Sequence, residues 1–165
     1  MKKLVIVAIA ALAALPLAAQ PAGPAGPITL DVQYTPAAAA SIARNHYPMR
    51  VFLSFDGDPV PAHRRDVDEI SETIDLGMSP PQTIPSTAGA HPVPLAGLNR
   101  ARLSWVREAR VSVSVAPFLT DAQIRNARAA DTIICQSPAQ MSIARATAQP
   151  LPIICRTMPE TRLVA

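Results

Sequence analysis

The chain has 165 residues and a formal net charge of +3 at pH 7, and 4% of its residues are aromatic. Its two lysines, Lys2 and Lys3, both lie at the N-terminus, so residues 20–165 carry a net charge of only +1. Nucleic-acid-binding domains usually combine a strongly basic face with aromatic side chains that stack on bases. The composition therefore argues against a nucleic acid as partner. The length beyond residue 27 suits one ordinary domain, and we expect a single domain over residues 28–165.

Residues 1–19 have the pattern of a secretory signal peptide. A short positive start precedes an uninterrupted apolar run from Leu4 to Ala14, and Pro16 and small residues follow it. This run is shorter than the roughly 20 residues that span a bilayer. We therefore predict a bacterial export route to the periplasm or the extracellular space, with no membrane span in the mature chain and an uncleaved anchor as the alternative. Residues 20–27, QPAGPAGP, are predicted to form a proline and glycine spacer.

Most of the remaining chain alternates between apolar and polar residues, which is typical of strands with one buried face. In ITLDVQY, for example, Ile28, Leu30 and Val32 alternate with polar residues. Regular alternation favours antiparallel sheets that leave one face in water. The predicted strands are 28–35, 49–56, 69–76, 82–86, 91–95, 110–118, 131–136 and 151–157.

Helix signals occur between several of these strands. Thr35 and Pro36 fit an N-cap and the first residue of a short helix, and Thr120 with Gln123 fits a capping box. Residues 99–110 are compatible with either a short helix or the start of a strand. We therefore predict a mainly β fold, a two-sheet antiparallel β-sandwich of the immunoglobulin-like or transthyretin-like kind with short helical connections, with an α+β fold as the alternative.

The only two cysteines, Cys135 and Cys155, occur in two copies of the tripeptide IIC. In an exported protein such a pair is first interpreted as a disulfide. A redox pair would have C-x-x-C spacing, and a zinc site would need about four ligands. We predict that the disulfide joins the last two strands. Ser137 and Pro138 suggest a helix over 138–147 between them.

The most acidic segment lies between residues 55 and 72 and is the one candidate for a cation site. Carboxylates near a tight glycine turn are the ligands that calcium prefers. The calcium loop pattern D-x-[DN]-x-[DN]-G is absent, however, and Arg64 and Arg65 stand within the segment, so a solvated acidic loop with local arginine pairing is the alternative. The candidate ligands are Asp56, Asp58, Asp66, Asp68 and Glu69.

Other patterns of catalytic or cofactor-binding residues are missing from the sequence. His46, His63 and His91 lie in three separate proline-flanked segments, without the spacing that places two histidines on one metal. The chain has no G-x-S-x-G motif and no phosphate-binding glycine loop. We expect neither catalysis nor a cofactor.

Two functions remain compatible with the sequence. The first is an interaction module that binds an envelope protein through an exposed sheet edge or the proline-rich segment 78–97. This hypothesis predicts that Gln82 to Leu95 is exposed and can be deleted without unfolding. The second is an ion-binding or anionic-ligand-binding protein that uses the acidic residues 56–69 or the basic stretch 100–110. The arginines of that stretch are Arg100, Arg102, Arg107 and Arg110.

Overall fold

A computed structural model describes residues 26–125 and 131–162, and within them the fold is mainly β. The predicted signal peptide and most of the spacer lie outside the described residues. The strands are β1 (Ile28–Tyr34), β2 (Met49–Pro59), β3 (Ile74–Met78), β4 (Gln82–Ile84), β5 (Gly89–Val93), β6 (Val106–Pro117), β7 (Ile133–Gln136), β8 (Met141–Ser142) and β9 (Leu151–Thr157). The helices are α1 (Pro36–Asn45), α2 (Asp121–Arg125), α3 (Ile143–Ala148) and α4 (Met158–Arg162), with 3-10 helices at Pro61–His63 and Arg100–Trp105.

Four strands form the first sheet, sheet A, in the order β5, β1, β9, β7. The pairs β1–β5 and β7–β9 are antiparallel, whereas β1 and β9 run parallel. The prediction of purely antiparallel sheets was therefore wrong for sheet A. Alternation reports which face of a strand is buried, but it does not report the direction of the neighbouring strand.

Sheet B is antiparallel and has the strand order β3, β2, β6, β8, with β4 also paired to β2. Strands β3 and β4 lie end to end along the same side of β2, and Ser79, Pro80 and Pro81 separate them. The prolines cannot donate to the ladder. Ser79 maintains contact with β2, because its N–H donates to the Leu53 carbonyl (2.8 Å) and its hydroxyl accepts from the Leu53 N–H (2.9 Å).

Both sheets contribute apolar side chains to one buried cluster. Leu30 of β1 and Leu53 of β2 are fully buried, and the polar residues between such positions face away from the cluster. Helix α3 contacts β1 of sheet A and β6 of sheet B, and its Ile143 is buried. Helices α1 and α4 contact strands of sheet A. No helix in the described ranges is long and apolar enough to cross a membrane.

Two of the predicted helix starts are confirmed. The Thr35 hydroxyl accepts a hydrogen bond from the Ala38 N–H, and Pro36 is the first residue of α1. Thr120 and Gln123 exchange the reciprocal bonds of a capping box before α2. Residues 126–130, which follow α2, lie outside the described residues.

The helix predicted over 138–147 was wrong in position. Met141 and Ser142 pair with β6 as the short strand β8, and α3 begins only at Ile143. Ser142 serves as its N-cap by accepting a hydrogen bond from the Arg145 N–H. The pairing with β6 occupies the residues that the Ser137 and Pro138 signal had assigned to a helix.

Two other boundaries also differ from the prediction. The strand predicted at 69–76 begins at Ile74, because the Asp68 carboxylate accepts hydrogen bonds from the N–H groups of Ile70 and Ser71 and closes a turn there. These bonds lower the pKa of Asp68. The ambiguous residues 99–110 divide into the 3-10 helix and the start of β6 at Val106.

Helix α4 is attached to the residue that follows β1 through the side chain of Glu160. Its carboxylate accepts hydrogen bonds from the Thr157 N–H (2.8 Å), the Thr157 hydroxyl (2.9 Å) and the Thr35 hydroxyl (2.7 Å). The bond from the Thr157 N–H, followed by that from Thr35, holds the pKa of Glu160 below its usual range. The contact joins the end of β1 to the end of β9.

Tyr34 has a buried hydroxyl without a hydrogen-bond partner in the described part of the chain. Burial raises the pKa of this hydroxyl to about 12. We expect Tyr34→Phe to raise the free energy of unfolding by about 1 kcal/mol at pH 7, because the unpaired group no longer has to be desolvated. Urea denaturation of both proteins measures the difference, and a clear destabilisation by Tyr34→Phe would show that the hydroxyl has a partner.

The same substitution has an expected pH dependence. The unfolded tyrosine ionises near pH 10, while the folded one resists ionisation up to about pH 12. The unfolded state therefore binds fewer protons between these values, so this group reduces stability as pH rises from 10 to 12 and has no such effect below 10. Denaturation at pH 8 and pH 11 is expected to show a larger loss for the native protein than for Tyr34→Phe.

Candidate functional site

The five carboxylates predicted as a cation site do not converge. Asp66 bonds to the His63 ring (2.9 Å), Asp68 closes the turn before β3, and Glu69 is exposed. Asp56 and Asp58 lie near the end of β2. Within residues 26–125 and 131–162, no group of three or more histidine, cysteine, aspartate or glutamate side chains is arranged to hold a metal ion.

Asp56 and Asp58 are held by Arg110, which lies opposite Asp56 on β6. The Arg110 Nη2 atom is 2.9 Å from Asp56 Oδ1 and 3.0 Å from Asp58 Oδ1. Gln140 donates a further hydrogen bond to Asp56. Burial disfavours the charged guanidinium, but the hydrogen bonds and charges of the two aspartates outweigh it and raise the pKa of Arg110.

This pairing corrects the prediction for the acidic segment. Arg64 and Arg65 were expected to neutralise it locally, but both are exposed, and Arg110 pairs with Asp56 and Asp58 instead. The partner is 54 residues away from Asp56 and became adjacent only through the pairing of β2 with β6. The basic stretch 100–110 had suggested that Arg110 could bind an anionic ligand. Its ion pairs with Asp56 and Asp58 already occupy this guanidinium.

The rest of the basic stretch is also partly engaged. The Arg102 Nη1 atom donates to the Asp75 carbonyl (3.2 Å), and its guanidinium carbon lies 5.0 Å from the Trp105 ring centre. The His63 ring stacks on Trp105 at 4.3 Å. The His63–Trp105 stack joins the 3-10 helices at 61–63 and 100–105, and the two ring contacts engage the only tryptophan of the chain.

The proline-rich segment 78–97 is part of the fold. It contains β4 and β5, and the side chains of Ile84, Val93 and Leu95 belong to the buried cluster. The prediction that all of Gln82 to Leu95 is exposed was therefore wrong. Deletion of this segment would remove two strands and part of the core, so it is not a clean test of partner binding.

One sheet edge next to this segment is covered by the chain itself. The Asn99 N–H donates to the Leu76 carbonyl (2.7 Å), and Arg102 binds the Asp75 carbonyl on the same strand. These bonds use the backbone carbonyls of two adjacent β3 residues and place the 3-10 helix of residues 100–105 against β3, the last strand in the order of sheet B. A further strand could pair there only if this segment moved away.

The outward side of sheet B is, by contrast, solvent-accessible and carries several apolar side chains. Residues directly opposite one another in an antiparallel pair project to the same side of the sheet. Phe52 lies opposite Ser114, and Arg50 lies opposite Ala116, while Met78 shares this side through its partner Ser54. We call this surface the β2 face. It comprises Arg50, Phe52, Met78, Ser114, Ala116 and Phe118.

Exposure on the β2 face is high for apolar residues. Met78 is 66% exposed and Phe118 is 42% exposed, while Phe52 is half-buried between them. Ser114 and Ala116 are exposed and short, so they leave the aromatic and thioether side chains accessible from solvent. Large exposed apolar groups gathered on one surface are typical of binding sites.

Arg50 is the cation of this face. Its guanidinium carbon lies 3.5 Å from the centre of the Phe118 ring, in a cation–π contact. The Phe118 N–H donates to the Pro48 carbonyl (2.8 Å), which holds the ring beside β2. None of the ion pairs among the described residues includes Arg50.

The sequence interpretation did not identify the β2 face. Alternation over residues 49–55, MRVFLSF, places Arg50, Phe52 and Ser54 on one side of the strand, but it does not show that Met78 and Phe118 come to lie beside them. A phenylalanine at an outward strand position was the one available signal.

The chain matches no protein-family model, no curated protein and no solved structure.

Proposed function

We propose that this protein is an exported, non-catalytic interaction module that binds a partner protein through the β2 face. The supporting observation is that Met78 and Phe118 are exposed beside Phe52 and Arg50 on the outward side of sheet B. Aromatic residues, methionine and arginine are enriched in protein–protein interfaces. Helices α1 and α4 contact strands of the other sheet, and Ser114 and Ala116 at the middle of this surface are exposed.

We further propose that sheets A and B pack face to face as a sandwich. The support is their shared buried cluster, to which β1 and β2 both contribute fully buried residues. Export is supported by the disulfide between Cys135 and Cys155, which joins directly paired residues of β7 and β9. A disulfide of this kind persists in an oxidising compartment.

Ion or anion binding is the weaker proposal. The carboxylates Asp56, Asp58 and Asp66 and the guanidinium of Arg110 all bond to one another or to neighbouring side chains. A ligand at these groups would first have to break these contacts. The β2 face requires no such rearrangement.

The proposed function is tested by placing a long charged side chain on the β2 face. Ser114 is exposed and lies opposite Phe52, so Ser114→Arg is expected to obstruct docking without disturbing the core. Ser104→Arg is the matched control, since Ser104 is also exposed but belongs to the 3-10 helix and is not one of the residues of the β2 face. Tagged native protein and both variants are incubated with envelope extract, and the captured proteins are quantified by mass spectrometry.

We expect at least one protein to be captured by the native chain and by Ser104→Arg but not by Ser114→Arg. Circular dichroism and thermal melting verify that both variants are folded. Equal capture by all three proteins, or no capture above empty beads, would contradict a partner at the β2 face.

A further inference from the structure

The β2 face combines apolar side chains with one cation that has no counter-ion among residues 26–125 and 131–162. The Arg50 guanidinium carbon lies over the Phe118 ring, and no carboxylate of the described residues forms an ion pair with Arg50. The acids nearest along β2, Asp56 and Asp58, are neutralised by Arg110. In the described part of the chain, the apolar end of the face therefore carries a positive charge that no ion pair neutralises.

The arrangement around Arg50 is suited to a planar anion. A guanidinium that lies over an aromatic ring can still direct N–H groups outward in its own plane, where a pair of them matches the two oxygens of a carboxylate. The strand neighbours of Arg50 are Thr83 and Ala116, both exposed and short. An approaching carboxylate would meet no bulky side chain at either position.

We propose that the partner of the β2 face presents an aspartate or glutamate side chain next to an apolar residue, and that the carboxylate binds Arg50 while the apolar residue packs on Phe52 and Phe118. This inference rests on the proposed function and specifies the chemistry of the partner. The charge complementarity selects an acidic apolar segment over a basic or purely apolar one. Aromatic and arginine residues at the centre of an interface are also those whose loss costs most binding energy.

The probe for this inference is a phage library of random 12-residue peptides, displayed without a free C-terminus. The library is selected in parallel on the oxidised native protein, on Ser114→Arg and on Arg50→Glu. Arg145→Glu is the control with the same change of charge, because Arg145 is exposed on α3 and lies outside the β2 face. We expect peptides that bind the native protein and Arg145→Glu, but neither face variant, to be enriched in an acid beside an apolar residue.

A charge exchange separates direct contact from a structural role of Arg50. For a recovered peptide, Arg50→Glu is expected to weaken binding at least about tenfold in fluorescence anisotropy. Replacement of the peptide's acid by lysine is expected to weaken binding to the native protein similarly and to restore binding to Arg50→Glu. A variant that merely distorted the sheet would not recover affinity in this way.

The outcomes distinguish this inference from the proposed function. Peptides that lose binding to Ser114→Arg but lack acids would overturn the carboxylate inference and leave the β2 face as a docking surface. Selected peptides that bind Ser114→Arg and Arg50→Glu as well as the native protein would overturn both the carboxylate inference and the proposed function. A selection that enriches no peptide would do the same. If sedimentation of the native protein shows a dimer that Arg50→Glu dissociates, the occupant is a second copy of the chain, and the inference is overturned.

Discussion

Gly97→Ala is expected to lower the free energy of unfolding by about 3 kcal/mol or more. Gly97 has φ +82°, a conformation that alanine adopts only with strain, and a Cβ atom there would overlap the Met78 carbonyl group. The segment around Gly97 covers the edge of β3 through the Asn99 to Leu76 hydrogen bond, so neither backbone can move away without breaking that bond. Urea denaturation followed by circular dichroism measures the effect.

Gly89→Ala is the matched control for this substitution. Gly89 also has a positive φ (121°), but a Cβ atom at Gly89 would meet nothing within 4 Å. Gly89→Ala is expected to lower the free energy of unfolding by about 1 to 2 kcal/mol, from backbone strain alone. Similar losses for Gly97→Ala and Gly89→Ala would show that the chain at residue 97 is not packed tightly against β3.

Removal of the disulfide is expected to lower the free energy of unfolding by about 3 kcal/mol. The bond closes a loop with a sequence separation of 20 residues and joins directly paired positions of β7 and β9. Without it the unfolded chain gains the freedom that the crosslink had removed. The test compares the native protein with the double variant Cys135→Ala, Cys155→Ala in urea, with and without a phosphine reductant.

The double variant also provides the control for the reductant. Its unfolding midpoint is expected to be the same with and without reductant, whereas the midpoint of the native protein is expected to fall. Alkylation of the purified native protein without prior reduction is expected to leave both sulfurs unmodified. Uptake of two alkyl groups, or a midpoint that reductant does not change, would contradict a stabilising disulfide.

Strand positions were predictable because alternation is a local property of the chain. The segment 28–35 and the segment 151–157 correspond closely to β1 and β9. The position of α1 was also predictable, because Thr35 and Pro36 act within one turn. The start of α3 was not, since it depends on which residues pair with the distant strand β6.

In the candidate site, too, the sequence showed the local features but not the contacts between distant residues. The acidic segment was visible in the sequence, but its counter-ion Arg110 became adjacent to Asp56 only through strand pairing. The basic stretch was visible as well, but contacts with Asp75 and Trp105 engage Arg102. Charge composition therefore identified the ionisable groups without showing which of them remain free to bind a ligand.

Local chemistry was enough to specify the β-rich character of the chain, the burial pattern of its strands and the identity of the two cysteines that pair. Each of these depends on neighbouring residues, on alternation or on there being only two thiols. The parallel contact of β1 with β9 and the assembly of the β2 face depended on tertiary structure alone. They require residues far apart in the chain to become neighbours, and that proximity is set by strand pairing and by the buried cluster that both sheets share.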